Sequence, residues 1–210
     1  MRRTYGIAEV RRLMSPRVSR AILIVAAVAA VGAAFVVVMN PAGVPATGAA
    51  SLGGTVNTRW GRLSAMDRKL LVSVRQAGLW EIPAGQQAQQ RASNPRVREV
   101  AEIIWQQHVQ LDTDVRTTAD KLGVILPNEP NGSQKSWLRE MSGKFGADYD
   151  KIWVHRLRAA HGSVFSVIAQ VRAKTENSVI REFAERAMKF VNTHMTLLES
   201  TGLVPRRALK

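Results

Sequence analysis

Apolar residues recur at alternating three- and four-residue steps through most of the chain after residue 63, which is the spacing of amphipathic helices. The clearest case is a helix predicted from Pro95 to Leu122, because Asn94 suits its N-cap and Gly123 suits a left-handed C-terminal cap. Its apolar stripe consists of Val97, Ala101, Ile104, His108, Leu111, Val115 and Leu122. The pattern therefore places one titratable ring, that of His108, on the inward face.

The same spacing predicts three further helices, with limits of about 64–92, 148–174 and 177–201. Each of their apolar stripes also carries one ionisable side chain. These are Glu81 in the first helix, His161 in the third and His194 in the fourth. Each helix of the predicted set thus contributes one polar group to an otherwise apolar face.

The connection between the second and third helices is long enough to run the length of a bundle. It covers residues 123–147 and contains a short amphipathic turn around Trp137–Met141. A faint repeat, NPRVREVAE from Asn94 and NSVIREFAE from Asn177, indicates two hairpins of similar construction. We therefore predict an all-α chain, a ferritin-like four-helix bundle with a long crossover between helices 2 and 3.

The amino-terminal region predicts one transmembrane helix before the bundle. Residues 1–20 are rich in arginine, and residues 21–39 form an uncharged apolar run of about nineteen residues, enough to cross a bilayer. The charge asymmetry places the amino terminus in the cytoplasm and the remaining chain outside, as a single-pass protein of the cell membrane. The alternative is secretion after signal cleavage, since 46–51 offers small residues to a peptidase.

After the anchor, the composition divides the chain into three parts. A flexible linker rich in Gly, Ala, Pro, Ser and Thr is predicted for 40–62, the bundle for 63–203 and a basic tail for 204–210. The net charge of +14 is only partly due to the first twenty residues, so the outer domain is basic too. A basic domain could bind anionic envelope polymers, with nucleic acid as a less favoured partner.

Helix geometry predicts that the four polar groups converge near the middle of the bundle. Glu81 and His108 each lie about thirteen residues from the short loop near Ser93, so the helical rise brings them to nearly the same height. His161 is near the middle of its helix, and His194 is within about a turn or two of that level. The sequence therefore predicts a cluster of one carboxylate and three imidazoles.

A buried carboxylate needs a partner, because removing an unpaired charge from water costs several kcal/mol. Either a histidine becomes protonated and pairs with Glu81, or a metal ion binds all four groups. Three imidazoles and one carboxylate suit one divalent transition ion, Zn, Fe, Mn or Cu. Asp112, one turn after His108, is a candidate orienting residue or fifth ligand. His155 lies off its stripe and is expected to be exposed.

Short motifs between Asp67 and Leu203 carry a resemblance to a known family. They are Glu81 with Gly85, Asn94-Pro95-x-Val97 leading to His108, Leu122-Gly123-Val124 with Pro127, Phe145-x-x-Asp148-Tyr149, His161 and His194. As a set they resemble a bacterial ferritin-like family of unknown function, whose members are often described as predicted outer-membrane or exported proteins. The resemblance implies an exported four-helix bundle with its Glu and three His in the core, and no established activity.

Two departures narrow what the resemblance implies. Members of the family often have an acidic residue just before the first and second bundle histidines, where this chain has Gln107 and Ala160. The ferritin relatives bind two irons through Glu-x-x-His pairs. Here Trp105 and Val191 stand where the glutamates of those pairs would be, so at most one metal fits and iron storage is disfavoured.

Three functions are compatible with the sequence. The first is a membrane-anchored extracytoplasmic bundle that binds one divalent metal ion or small ligand in its core. The second is a non-enzymatic envelope module that uses a basic surface. The third, an oxidoreductase using one bound metal, ranks last because no motif for shaping a substrate is visible. The absence of cysteine excludes thiolate nucleophiles, disulfides and cysteine-type metal sites.

Overall fold

The computed structural model describes residues 54–205, and the chain in this range is mostly helical. It contains a two-stranded antiparallel hairpin and five α-helices. In chain order these are β1 Val56–Thr58, β2 Gly61–Leu63, α1 Ala65–Arg91, α2 Pro95–Leu122, α3 Gly132–Ser142, α4 Gly146–Lys174 and α5 Ser178–Glu199. The four long helices are those predicted from the apolar spacing.

Capping residues in the sequence account for the observed limits of the first two helices. Ser64 and Asp67 form a reciprocal capping box at the start of α1, with the Ser64 amide 2.7 Å from the Asp67 carboxylate. The Asn94 side chain accepts a hydrogen bond of 2.8 Å from the amide of Arg96 at the start of α2. Gly123 ends that helix in the left-handed conformation, with φ of 65°. Local chain chemistry thus accounts for these boundaries.

The long helices pack as a bundle, in which α1 and α5 each contact both α2 and α4. Asp150, near the start of α4, accepts hydrogen bonds from the amides of Ser93 and Asn94 at the start of α2, so these two helices start at the same end. The amide of Ser178, at the start of α5, donates to the carbonyl of Trp60, which precedes α1. The crossover that contains α3 therefore carries the chain from one end of the bundle to the other.

Two apolar clusters fill the bundle, and polar side chains separate them. One cluster includes Trp80, Ile104 and Leu157, and the other includes Leu111, Ile168 and Val191. On α2, α4 and α5, the buried histidine falls between the residues of one cluster and those of the other. The apolar packing on both sides thus fixes the level at which the polar groups meet.

The hairpin differs from the flexible linker predicted for 40–62 at its last residues, because 56–63 form two strands that contact the start of α5; residues 40–53 lie outside the described residues. The Asn177 side chain donates hydrogen bonds to the Thr58 hydroxyl at 3.1 Å and to the Gly61 carbonyl at 3.2 Å. Gly61 has φ of 105°, and a Cβ there would lie 2.1 Å from the carbonyl oxygen of Glu176. Only glycine fits this approach without displacing the backbone. The turn predicted around Trp137–Met141 is likewise longer than expected, since it is part of α3.

Among the helices of residues 54–205, none combines the length and the apolarity needed to cross a membrane. The predicted cytoplasmic segment 1–20 and the predicted anchor 21–39 lie outside the described residues. So does most of the predicted basic tail 204–210.

Candidate metal centre

The four side chains predicted to converge lie together between the two apolar clusters. Glu81 comes from α1, His108 from α2, His161 from α4 and His194 from α5. Each of them is at most 3% exposed. Every long helix therefore contributes one ionisable group to a site from which bulk water is excluded.

Short distances between polar atoms join the four side chains of the cluster. Glu81 Oε2 lies 3.0 Å from His108 Nε2 and 3.5 Å from His161 Nε2. His161 Nε2 lies 2.9 Å from His194 Nδ1. The three histidines each offer a ring nitrogen within 4.8 Å of the other two, a spacing compatible with a shared metal ion. Glu81 is not part of this group of three, although its Oε2 oxygen contacts two of the histidines.

The outer nitrogens of two imidazoles are held by oxygen acceptors. His161 Nδ1 lies 2.8 Å from the carbonyl oxygen of Leu157, which can only accept a hydrogen bond, so this nitrogen carries the proton. His194 Nε2 lies 2.8 Å from Oε1 of Gln107 and donates to it in this orientation of the amide. In neutral rings with these protons, His161 Nε2 and His194 Nδ1 carry lone pairs 2.9 Å apart, a contact that a shared cation would stabilise.

Several buried polar atoms of the cluster lack a hydrogen-bond partner. Both ring nitrogens of His108 and the Oε2 oxygen of Glu81 are in this state, although His108 Nε2 and Glu81 Oε2 are close to each other. Buried polar atoms are nearly always paired, so orphaned atoms point to a missing ligand, water or ion. Glu81 Oε2 and His108 Nε2, together with the inner nitrogens of His161 and His194, form a donor set that suits a metal cation.

Burial and charge keep the side chains in forms that can bind metal. Burial lowers the pKa of His161 and of His194 below the ordinary value of 6.5, which favours neutral rings at neutral pH. Burial acts to raise the pKa of Glu81, but the contacts with His161 and His108 outweigh it and the pKa lies below its usual value. With His161 and His194 neutral, the partner of the Glu81 carboxylate is either His108, 3.0 Å away, or a bound cation.

The model of a family described as "Domain of unknown function (DUF4142)" matches residues 56–200. The chain belongs to this family. No curated protein and no solved structure matches the chain. The DUF4142 description states no activity.

Two expectations about residues near the cluster are wrong in this DUF4142 chain. Asp112 is neither an orienting residue nor a fifth ligand, because its carboxylate pairs with the guanidinium of Arg75 and packs against Gly78. Asp112 lies one helical turn after His108 on α2, and at this position its side chain faces α1 rather than the cluster. His155 is half-buried rather than exposed, and its Nε2 donates to the carbonyl of Leu203 at 2.9 Å.

Gln107 is a site residue that the sequence pattern did not identify. It directly precedes His108 in the chain, but it contacts His194 on α5 rather than this neighbour. The amide oxygen accepts the hydrogen bond from His194 as a carboxylate would, without adding a second negative charge. The signal in the sequence was a polar residue next to the inward stripe, but its partner depends on how α2 and α5 pack.

Proposed function

We propose that this DUF4142 protein is a membrane-anchored, extracytoplasmic helical bundle that binds one divalent transition metal ion in its core. The proposed ligands are Glu81, His108, His161 and His194. The observation that carries the proposal is the convergence of buried ligand atoms, those of Glu81 and His108 being unpartnered and those of His161 and His194 turned inward by their outer hydrogen bonds. The anchor is supported by the apolar run 21–39 and the arginines before it.

The donor set selects the class of metal. Imidazole nitrogen suits Zn, Cu, Fe and Mn better than Mg or Ca, which prefer oxygen ligands. One carboxylate among four ligands is too few for a pair of irons bridged by glutamates. A single ion, bound as Zn, Fe, Mn or Cu, fits these four groups.

A ferritin-like arrangement of the bundle is part of the proposal. It is supported by the shared end at which α2 and α4 start and by the long crossover that this requires. In such bundles metal sites are built from inward side chains on facing helices, at mid-height. The cluster has this position.

A hydrogen-bonded cluster without metal is the alternative for the same residues. If the Gln107 amide were reversed, its N–H group would donate to His194 Nε2, and His194 Nδ1–H would donate to His161 Nε2. This chain of bonds would satisfy two imidazoles. An ion pair between His108 Nε2 and Glu81 Oε2, which are 3.0 Å apart, would complete the cluster and leave His108 Nδ1 unpartnered. The metal proposal accounts for Glu81 Oε2 and one nitrogen of each histidine together.

A core site has more support than binding through a basic surface. Several arginines of residues 54–205 already lie next to carboxylates, which reduces the positive potential they present. Arg156 Nη2 lies 2.7 Å from Glu140, Arg158 Nη2 lies 2.7 Å from Glu199, and Arg186 Nε lies 2.8 Å from Asp114.

Metal analysis of the purified full-length protein tests the proposal. After exposure to Zn²⁺ or Co²⁺ and removal of unbound ion, the wild type is expected to retain about one ion per chain. The double variant His108→Ala/His161→Ala is expected to retain almost none. His155→Ala is the matched control, since this histidine lies outside the cluster, and it should bind as the wild type does. Equal and substoichiometric metal in all three proteins would refute the proposal.

A further inference from the structure

The cluster is closed to bulk water, so an ion needs a path to reach it. A cavity of about 290 Å³ lies between α1, α3 and α4, and Glu81 is one of the residues that line it. Because the Glu81 carboxylate also contacts His108 and His161, this cavity reaches the cluster through one of the proposed ligands.

Small side chains on two facing helices leave this space open. On α1 they are Ser73 and Ala77, and on α4 they are Ala159, Ala160 and Ser163. The third wall comes from α3, where Trp137 makes an edge contact with Trp80 at 5.2 Å between ring centroids. Larger residues at the small positions would fill the gap, because interiors pack closely and leave few voids by accident.

The charge of the lining suits a cation. No lysine or arginine lines this cavity, and Glu81 is its one ionisable lining residue. Two other surface cavities do have basic linings, each with one acidic residue: one of about 710 Å³ is lined by Arg75, Arg116 and Asp120, and one of about 460 Å³ by Arg172, Lys189 and Glu185. In a chain with net charge +14, a path without basic side chains is where a divalent cation meets the least repulsion.

We propose that this cavity is the entry route by which a hydrated divalent cation reaches the cluster, with Glu81 as the first protein ligand it meets. The inference rests on the proposed metal-binding function, but it concerns the rate of loading rather than the affinity. The amide and hydroxyl groups of the lining, Ser73, Gln76, Asn131, Gln134 and Ser163, offer polar contacts to the waters of the incoming ion.

A filling variant tests the route by separating rate from equilibrium. In the full-length protein, Ala160→Leu should slow Co²⁺ loading by about tenfold, as followed by the absorption of the bound ion, because the added atoms occupy the gap. The dissociation constant should change far less than the rate. Ala173→Leu is the control on the same helix, since Ala173 is exposed and outside the cavity, and it should load at the wild-type rate.

Two variants of opposite charge at one position on the rim of the cavity provide a second, independent test. Ser163 is exposed, so both Ser163→Lys and Ser163→Glu should fold. At low ionic strength the Glu variant should load Co²⁺ on the order of tenfold faster than the Lys variant, and the difference should shrink in high salt. Equal rates for these two variants, together with a wild-type rate for Ala160→Leu, would overturn the route while leaving metal binding intact. A wild type that takes up no stoichiometric Co²⁺ would overturn both proposals.

Discussion

The two helical hairpins contribute different chemistry to the same cluster. The α1–α2 hairpin brings together Glu81 and His108, a carboxylate and an imidazole with atoms 3.0 Å apart that lack hydrogen-bond partners. The α4–α5 hairpin brings together His161 and His194, two imidazoles held by oxygen acceptors on their outer sides. The first pair carries the charge, and the second pair is already oriented.

This difference indicates how the cost of burying polar groups is divided. The imidazoles of the second hairpin are neutral at neutral pH, because burial lowers their pKa values, and their outer nitrogens are satisfied. The carboxylate of the first hairpin has His108 as its close partner inside its own hairpin, at 3.0 Å, and this contact helps to lower the pKa of Glu81. A metal ion placed between the two pairs would stabilise the first hairpin most, since that is where the carboxylate lies.

Neutralising Glu81 should have the largest effect on the difference between the two hairpins, because it removes the charge that only the first hairpin carries. Glu81→Gln keeps the shape but removes the charge, so metal affinity should fall by at least about a hundredfold, more than loss of an outer-sphere contact. The metal-free protein should be less stable at neutral pH, because the lowered pKa of Glu81 means that folding favours its charged form. A chelator competition and a urea titration measure the two quantities. Glu182→Gln, at an exposed carboxylate on α5, should change neither. Unchanged affinity in Glu81→Gln would contradict the role of the first hairpin.

Lowering the pH should destabilise the metal-free protein through the second hairpin. The pKa values of His161 and His194 are lowered on folding from an ordinary value of 6.5, so below that pH the unfolded chain binds more protons than the folded one. The unfolding free energy should be highest above pH 6.5. Below that pH it should fall by about 1.4 kcal/mol per pH unit for each histidine. The lowered pKa of Glu81 adds a loss only below its ordinary value of 4.5.

Urea unfolding of the metal-free protein from about pH 8 to about pH 5 measures this slope. His161→Gln should flatten the profile, since one of the titrating groups is gone. His155→Ala should keep the wild-type slope, because its ring lies outside the cluster and its removal leaves both buried imidazoles in place. A wild-type stability that does not change below pH 6.5 would show that the buried imidazoles are already protonated.

The two hairpins also differ in how their second helices are capped. Asn94 caps α2 through one hydrogen bond, whereas Asn177 caps α5, is fully buried, and also donates to Thr58 and Gly61 of the β-hairpin. Asn94→Ala should cost about 1 kcal/mol of unfolding free energy. Asn177→Ala should cost about 2 kcal/mol, since buried acceptors lose their donor as well. Urea denaturation compares the two, and equal costs would mean that the β-hairpin adds nothing to the cap.

Features that depend on neighbouring residues in the chain could be predicted from the sequence. The sequence predicts the caps at Asn94 and Gly123 correctly, because each cap involves residues no more than a few positions apart. The common level of Glu81 and His108 followed from the helical rise and a short loop, and the structure brings them together. The metal itself stays a prediction.

Features that depend on packing between distant elements could not be predicted. The β-hairpin is held by Asn177, more than a hundred positions away along the chain, so its own sequence resembles a linker. Asp112 was expected near the cluster, but its carboxylate contacts Arg75. The rotation of α2 against α1 determines this contact, and the sequence does not show that rotation. The level of His194 was known only to a turn or two, because nothing local fixes how α5 slides along the bundle.

Gln107 links the hairpins, and changing it should have the smallest of these effects. It lies on α2 yet accepts the hydrogen bond of His194 on α5, so it sets which nitrogen of that ring faces the cluster. Gln107→Ala should lower metal affinity by about tenfold, and Gln107→Glu should preserve it, because a carboxylate accepts the same bond. NMR of the His194 ring should show a change of tautomer in the Ala variant. Gln106→Ala, at its exposed neighbour, is the control; if it weakens binding as much as Gln107→Ala does, the two hairpins are not coupled through this hydrogen bond.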